Sequence, residues 1–218
     1  MTINTTTLFR GAAIAATLAG LIFAGVQIKH PYLDATSITT ADVITRNLLK
    51  TVMTALALVG LTGLYLRQVT RMGVLGLVGY VLFAAGYLSM LGTEYVAALV
   101  LPTAAHTATA YVNDVISVAN NRPAIGDIGL MRYAIMFTGL TYIAGGFTFA
   151  IALFRANVLA RWAAALLGAG TLATIAVGLV PRYERLFALP TAAALVGLGY
   201  SLWCDQRATV ADGSMLPG

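Results

Sequence analysis

Apolar residues in this chain fall into long blocks separated by short polar breaks, and the blocks dominate any two-residue alternation. A helix needs about 20 apolar residues to cross a hydrocarbon layer about 30 Å thick. Six segments meet that length: 8–28, 47–66, 72–101, 130–154, 158–180 and 186–204. The third is about 30 residues long, so it tilts or projects beyond the bilayer, and Pro102 gives it a stop. The pattern therefore predicts an all-α integral membrane bundle of about six transmembrane helices. It forms one domain over residues 1–204, followed by a loose polar tail over 205–218. The run Leu8–Gln27 behind Arg10 exceeds the 7–15 apolar residues of a secretory signal core, so it reads as the first span.

Between spans 3 and 4 the pattern changes. In Thr103–Asn120 (TAAHTATAYVNDVISVAN), a turn of about 100° per residue gathers His106, Thr109, Asn113, Ser117 and Asn120 in one sector. Ala108, Tyr111, Val115 and Ala119 take the other side. This spacing predicts an amphipathic helix, placed as a lid over the bundle because its polar face has no basic cluster to hold it on a membrane surface. The hairpin from Leu64 (LYLRQVTRMGVLGLVGYVL) echoes the one from Leu153 (LFRANVLARWAAALLGAGTL). That is the kind of echo an internal duplication leaves, although shared composition alone produces similar hairpins.

Composition sharpens the membrane reading. The chain is 59% hydrophobic and 10% charged, whereas soluble domains carry about 25% charged residues. Lipid must cover what folding cannot. The net charge of +5 is scattered over connecting segments and makes no basic face, which excludes a nucleic-acid partner. The single cysteine, Cys204, excludes an internal disulfide, a cysteine-based zinc site and a C-x-x-C redox pair. Glycines recur at Gly73, Gly76, Gly79 and Gly86, and at Gly139, Gly145, Gly146, Gly168 and Gly170. Close helix approach in a membrane accounts for them. No nucleotide or redox-cofactor motif is present, and no cofactor is expected.

Charge also separates the two ends of the spans. With both termini on one side, the 2–3 and 4–5 turns on that side carry Arg67, Arg71, Arg155 and Arg161 and no acid. The opposite side holds Asp34, Asp42, Glu94, Asp114, Asp127 and Glu184, which is six of the eight acids, and both histidines. All-basic short turns favour a cytoplasmic side. The expected location is the cell membrane, multi-pass, with cytoplasmic termini.

Candidate chemistry gathers on the acidic side. Glu94 stands in an otherwise lipid-compatible segment, about 33 Å beyond Met72, and a carboxyl group there must face the bundle, pair or be protonated. Tyr80, Tyr87 and Glu94 are spaced by sevens, so they share a helical face that drifts about 20° per step. Glu94 is the candidate catalytic acid, and the alternative is a structural pair with Arg132 or Arg182. His106 and Asp114 are candidate second proton-transfer groups. Tyr80 and Tyr87 are expected to line the substrate and favour cationic character. His30 and Asp34 flank the first span as further binding candidates. Arg132 and Arg182 suit an anionic head group or a diphosphate, or anchor helix ends by snorkelling. A metal held by His30, His106, Glu94 and Asp114 lacks any ligand spacing in its favour, and no metal is assigned. Lys29 and Lys50 sit outside the middle of any late span, which excludes a retinal-type chromophore.

The segments LFRGAAIAATLAGLIFAGVQIKHP, GLVGYVLFAAGYLSMLGTEYVAALVLP, ALFRANVLARWAAALLGAG and ALPTAAALVGLGYSLW resemble small multi-span membrane proteins of actinobacteria. That resemblance covers nearly the whole chain and implies architecture, with no particular activity. In size and architecture alone, without a shared motif, the chain is similar to membrane-bound terpene cyclases of the fungal meroterpenoid type. Those have about seven spans and use acids at membrane depth to protonate a polyene or epoxide, a role in which Glu94 would be the analogue. The expected function is a membrane-embedded enzyme acting on a lipophilic small molecule by acid–base cyclisation or isomerisation. The alternatives are a lipid-binding or assembly subunit and a small transporter or channel. Membrane lipids and a lipophilic small molecule are the expected partners.

Overall fold

The computed structural model describes residues 4–175 and 186–213, with side chains of the last helix as far as Arg207. Helix α1 (Thr5–Gly25) shows how this sequence folds. Its inward face is Ala12, Ala13, Ala16, Ala19 and Gly20, while Ile14, Leu18 and Leu21 are exposed. Large apolar groups outside and small ones inside would be costly in water. In lipid, small inward residues let helix backbones approach closely. Asn4 starts the helix by accepting the Thr7 N–H at 2.8 Å.

The remaining α-helices among the described residues are α2 (Ala41–Leu99), α3 (Leu101–Ala104), α4 (Thr109–Ala119), α5 (Leu130–Ala156), α6 (Arg161–Ala173) and α7 (Leu189–Gly213), and a 3-10 turn spans Ser37–Thr39. All regular structure among the described residues is helical. Among the described residues, four stretches are long and apolar enough to cross a membrane: Thr5–Gly25, Ala41–Leu99, Leu130–Ala156 and Leu186–Arg207. The chain is a helical membrane bundle.

The 59-residue α2 is a hairpin. Gly73 has non-helical angles (φ 57, ψ −158), and the two arms turn back on each other there. Tyr65 stacks on Tyr80 with ring centroids 4.5 Å apart, and the Thr62 hydroxyl lies 3.0 Å from that of Tyr80. In an unbroken helix these pairs would be more than about 20 Å apart. The segments expected as the second and third spans thus fall on the two arms, 41–72 and 74–99. α1 packs on α2 and α7, α5 on α2 and α6, and α6 on α7, which closes a ring. Arg67 meets Asp205, and Arg10 lies over Trp203, so the Gly73 turn, the start of α1 and the end of α7 share one end of the bundle.

Of the fifth span, expected over 158–180, the structure describes α6 and the residues as far as Ile175, and 176–180 lie outside the described residues; α5 ends at Ala156, capped by Asn157 in a left-handed conformation (φ 52). One prediction needs correction in detail. The amphipathic helix expected over Thr103–Asn120 is two pieces, α3 and α4, separated at 105–108. α4 buries Val112, Val115 and Ile116 together with Asp114, and leaves Tyr111 and Ala119 exposed. The buried face is therefore rotated from the one the pattern suggested, since α4 docks through the i, i+3, i+4 set nearest the rim core. Beyond 204, α7 continues to Gly213, and Gln206 is buried.

The interior has two apolar clusters. The larger joins α1, both arms of α2, α5, α6 and α7 around Phe83, Tyr87 and Phe149. The smaller is a cap at the acidic rim, where Ala35, Ile38, Leu101, Val112, Val115, Ile116 and Ile128 meet.

Candidate functional site

A cavity of about 380 Å³ lies between the two clusters. Ile38, Leu101, Val115 and Ile116 of the cap form one side, and Met90, Ile135, Tyr142 and Ile143 of the bundle form the other. Phe23 and Gln27 enter from the end of α1. Such a volume suits a small organic molecule, since ligand pockets commonly enclose about 300–1,000 Å³.

The charged groups of the wall sit on the two arms of α2, and Gln27, Asn120, Asn121, Thr138 and Thr174 add uncharged polar groups from other segments. Glu94 reaches the cavity, and its Oε1 lies 3.7 Å from Lys50 Nζ. These side chains are 21% and 15% exposed, so both are largely withdrawn from solvent. Lys50 Nζ also lies 3.5 Å from Asn47 Oδ1, and Asn47 donates to the Ala97 carbonyl at 3.3 Å. The counter-charge of Glu94 is therefore Lys50. Arg132 is exposed at the start of α5, and Arg182 lies outside the described residues. Lys50 and Asn47, which the sequence reading did not assign to the site, complete it.

Other expected site residues lie elsewhere. Asp114 is buried and turned away from the cavity lining: its Oδ1 accepts the Ile125 N–H at 2.8 Å and its Oδ2 the Gly126 N–H at 2.9 Å. It fastens the segment leading into α5. His106 is exposed in the break between α3 and α4. Asp34 shapes its own loop, accepting the N–H groups of Thr36 at 2.9 Å and Ser37 at 2.7 Å. The bond from Ser37 holds the Asp34 carboxyl below its ordinary value. His30 places Nδ1 2.9 Å from the Pro31 carbonyl and stands near Asp42. Among the described residues, no three His, Cys, Asp or Glu side chains come together as a metal site.

The tyrosine face divides. Tyr80 belongs to the aromatic contact between the arms, stacked on Tyr65. Tyr87 is fully buried against Phe83 and Tyr142, with centroids 4.9 and 5.6 Å away. Tyr142, and not Tyr87, lines the cavity. The hydroxyls of Tyr87, Tyr142 and Thr191 are buried close together without regular hydrogen-bond geometry. The cavity thus has a charged pair on one wall among mainly apolar residues, and Tyr142 lines it with its hydroxyl buried beside Tyr87 and Thr191.

Comparison with protein-family models, curated proteins and solved structures returns no match for this chain. The functional reading therefore rests on the geometry of the cavity.

Proposed function

We propose that this protein is a six-span membrane protein that binds a lipophilic small molecule bearing a polar group. The observation that carries this reading is the largely apolar cavity between the bundle and the α4 cap, with Lys50 and Glu94 on its wall. The pair can accept and donate at once, so a ligand hydroxyl, carbonyl or carboxyl would dock there while its apolar body fills the rest. Six crossings are supported by the α2 hairpin and by Thr174 and Ala188, which both line the cavity at the end of the bundle away from the Gly73 turn. α6 and α7 then run in opposite senses between the two ends. Cytoplasmic termini follow from the basic turns at the shared end.

Acid–base conversion of the bound molecule is the second reading, favoured by Glu94 lining the cavity. Glu94 would be its acid; neither His106 nor Asp114 joins it on the wall, so a single carboxyl would have to serve.

Native mass spectrometry with organic extraction of the purified protein tests both. Wild type is expected to retain one small lipophile, and Glu94→Gln or Lys50→Met to lose about tenfold in occupancy, the scale of one charge-assisted contact. A chemically different molecule retained by Glu94→Gln would mark conversion. Identical spectra showing only bulk phospholipid in all three proteins would overturn the binding reading.

A further inference from the structure

The basic turns at the other end of the bundle have no part in this cavity. Most arginines at that end of the bundle have local partners. Arg67 holds Asp205 through two bonds of 2.7 and 3.0 Å. Arg161 lies over the Phe154 ring at 4.0 Å, and Arg10 and Arg207 each lie 5.6 Å from the Trp203 ring centroid. Arg71 and Arg155 differ. Among the described residues neither meets an acid, a hydrogen-bond acceptor or a ring, and both line one cleft of about 290 Å³.

The cleft follows from the fold. Arg71 leaves the first arm of α2, and Arg155 sits in the last turn of α5. Between them the chain turns at Gly73, where an added Cβ would meet nothing within 4 Å, so the space over the turn stays open. Ala152 is too small to fill it from the α5 side. A guanidinium stays charged at any physiological pH. Two of them on one cleft cannot relieve their repulsion by losing a proton, and that repulsion grows as the surroundings become less polar. An anion between them reverses the sign. Phosphate matches the guanidinium fork with paired hydrogen bonds.

We propose that this cleft binds the phosphate of an anionic membrane lipid through Arg71 and Arg155. A free phosphate shares that chemistry, but the neighbouring surface favours the lipid. Val74 and Leu75, also on the cleft, are 77% and 37% exposed, and they offer an apolar track for acyl chains. Basic pockets beside transmembrane helices recognise lipid head groups in this way.

The test uses the full chain in detergent, offered an equal mixture of phosphatidylglycerol and phosphatidylcholine and examined by native mass spectrometry. At about fivefold per arginine, wild type is expected to favour phosphatidylglycerol about 25-fold. The Arg71→Gln/Arg155→Gln double variant should lose that preference, and Arg161→Gln should keep it. If the double variant does not fold, the single variants carry the test, each losing about fivefold. A parallel thermal unfolding series with millimolar inorganic phosphate separates the sources. Stabilisation of wild type but not of the double variant, without lipid preference, would support the anion site and move its ligand to the soluble phase. Equal lipid preference in wild type and variants, or no preference together with no phosphate effect, would overturn the site.

Discussion

Asp114 combines burial with two short bonds to backbone N–H groups, and that combination identifies its work as architectural. Asp114→Ala removes the acceptors of the Ile125 and Gly126 N–H groups, at about 0.5–1.5 kcal/mol each because both donor residues are open to solvent. The expected result is a clearly lower Tm with ligand occupancy retained in the protein that stays folded; loss of occupancy at unchanged Tm would return Asp114 to the chemistry. Sequence set Glu94 apart by its lipid-compatible segment but gave Asp114 only as an acid near the same rim. What separates them is whether hydrogen bonds from distant backbone reach the carboxylate, and that depends on how 121–129 folds back over α4. Glu94 was legible as a bundle-facing carboxyl because lipid leaves such a group few alternatives. Its partner was legible in principle too. Lys50 lies 23 residues before Gly73 and Glu94 lies 21 after it, so a hairpin turning at Gly73 brings them to one depth.

At the scale of elements, the glycine spacing explains more than any single contact. A Cβ on Gly79 would come within 2.5 Å of the Phe149 backbone, and one on Gly86 within 2.7 Å of the Tyr142 backbone. Gly145 presses equally on Phe83 from the other side. These three positions bring the second arm of α2 against α5, and that contact sets Tyr142 beside the cavity. Gly145→Leu is therefore expected to force the two helices apart. Overpacking costs about 1–3 kcal/mol even where side chains can shift, and here the obstacle is backbone. The variant should unfold at a markedly lower temperature in detergent, whereas Gly139→Leu, whose added Cβ meets nothing within 4 Å, should be near neutral. Equal effects at both positions would mean that the close approach does not hold the helices. The block pattern made these helices visible because membrane length is a strong constraint. α4 was harder to read, since at 11 residues its docking face is chosen by the cap around Ile38 and Leu101 and not by its own periodicity.

At the scale of the whole molecule, the proposed topology turns on the path from α6 to α7. α6 has 13 residues, about 20 Å of helix, which is short of the roughly 30 Å hydrocarbon layer. Yet Arg161 stands near the end marked by Arg155 and Gly73, while Thr174 and Ala188 line the cavity toward the acidic rim. α7 then returns to place Asp205 on Arg67. A chain that turned at mid-membrane would have to bury that turn against protein, since unpaired backbone facing lipid is not tolerated. The six-crossing arrangement consequently requires Leu186 to emerge on the same side as Asn121, and Arg71 on the other. In a Cys204→Ser background, single cysteines at these three positions can be challenged with a membrane-impermeant maleimide in intact cells and in inverted vesicles. Leu186→Cys and Asn121→Cys are expected to label in intact cells, and Arg71→Cys only in inverted vesicles. If Leu186→Cys instead labels together with Arg71→Cys, α6 and α7 do not cross separately. Thr174 and Ala188 could then not meet on the cavity lining, and the binding reading would lose that part of its site.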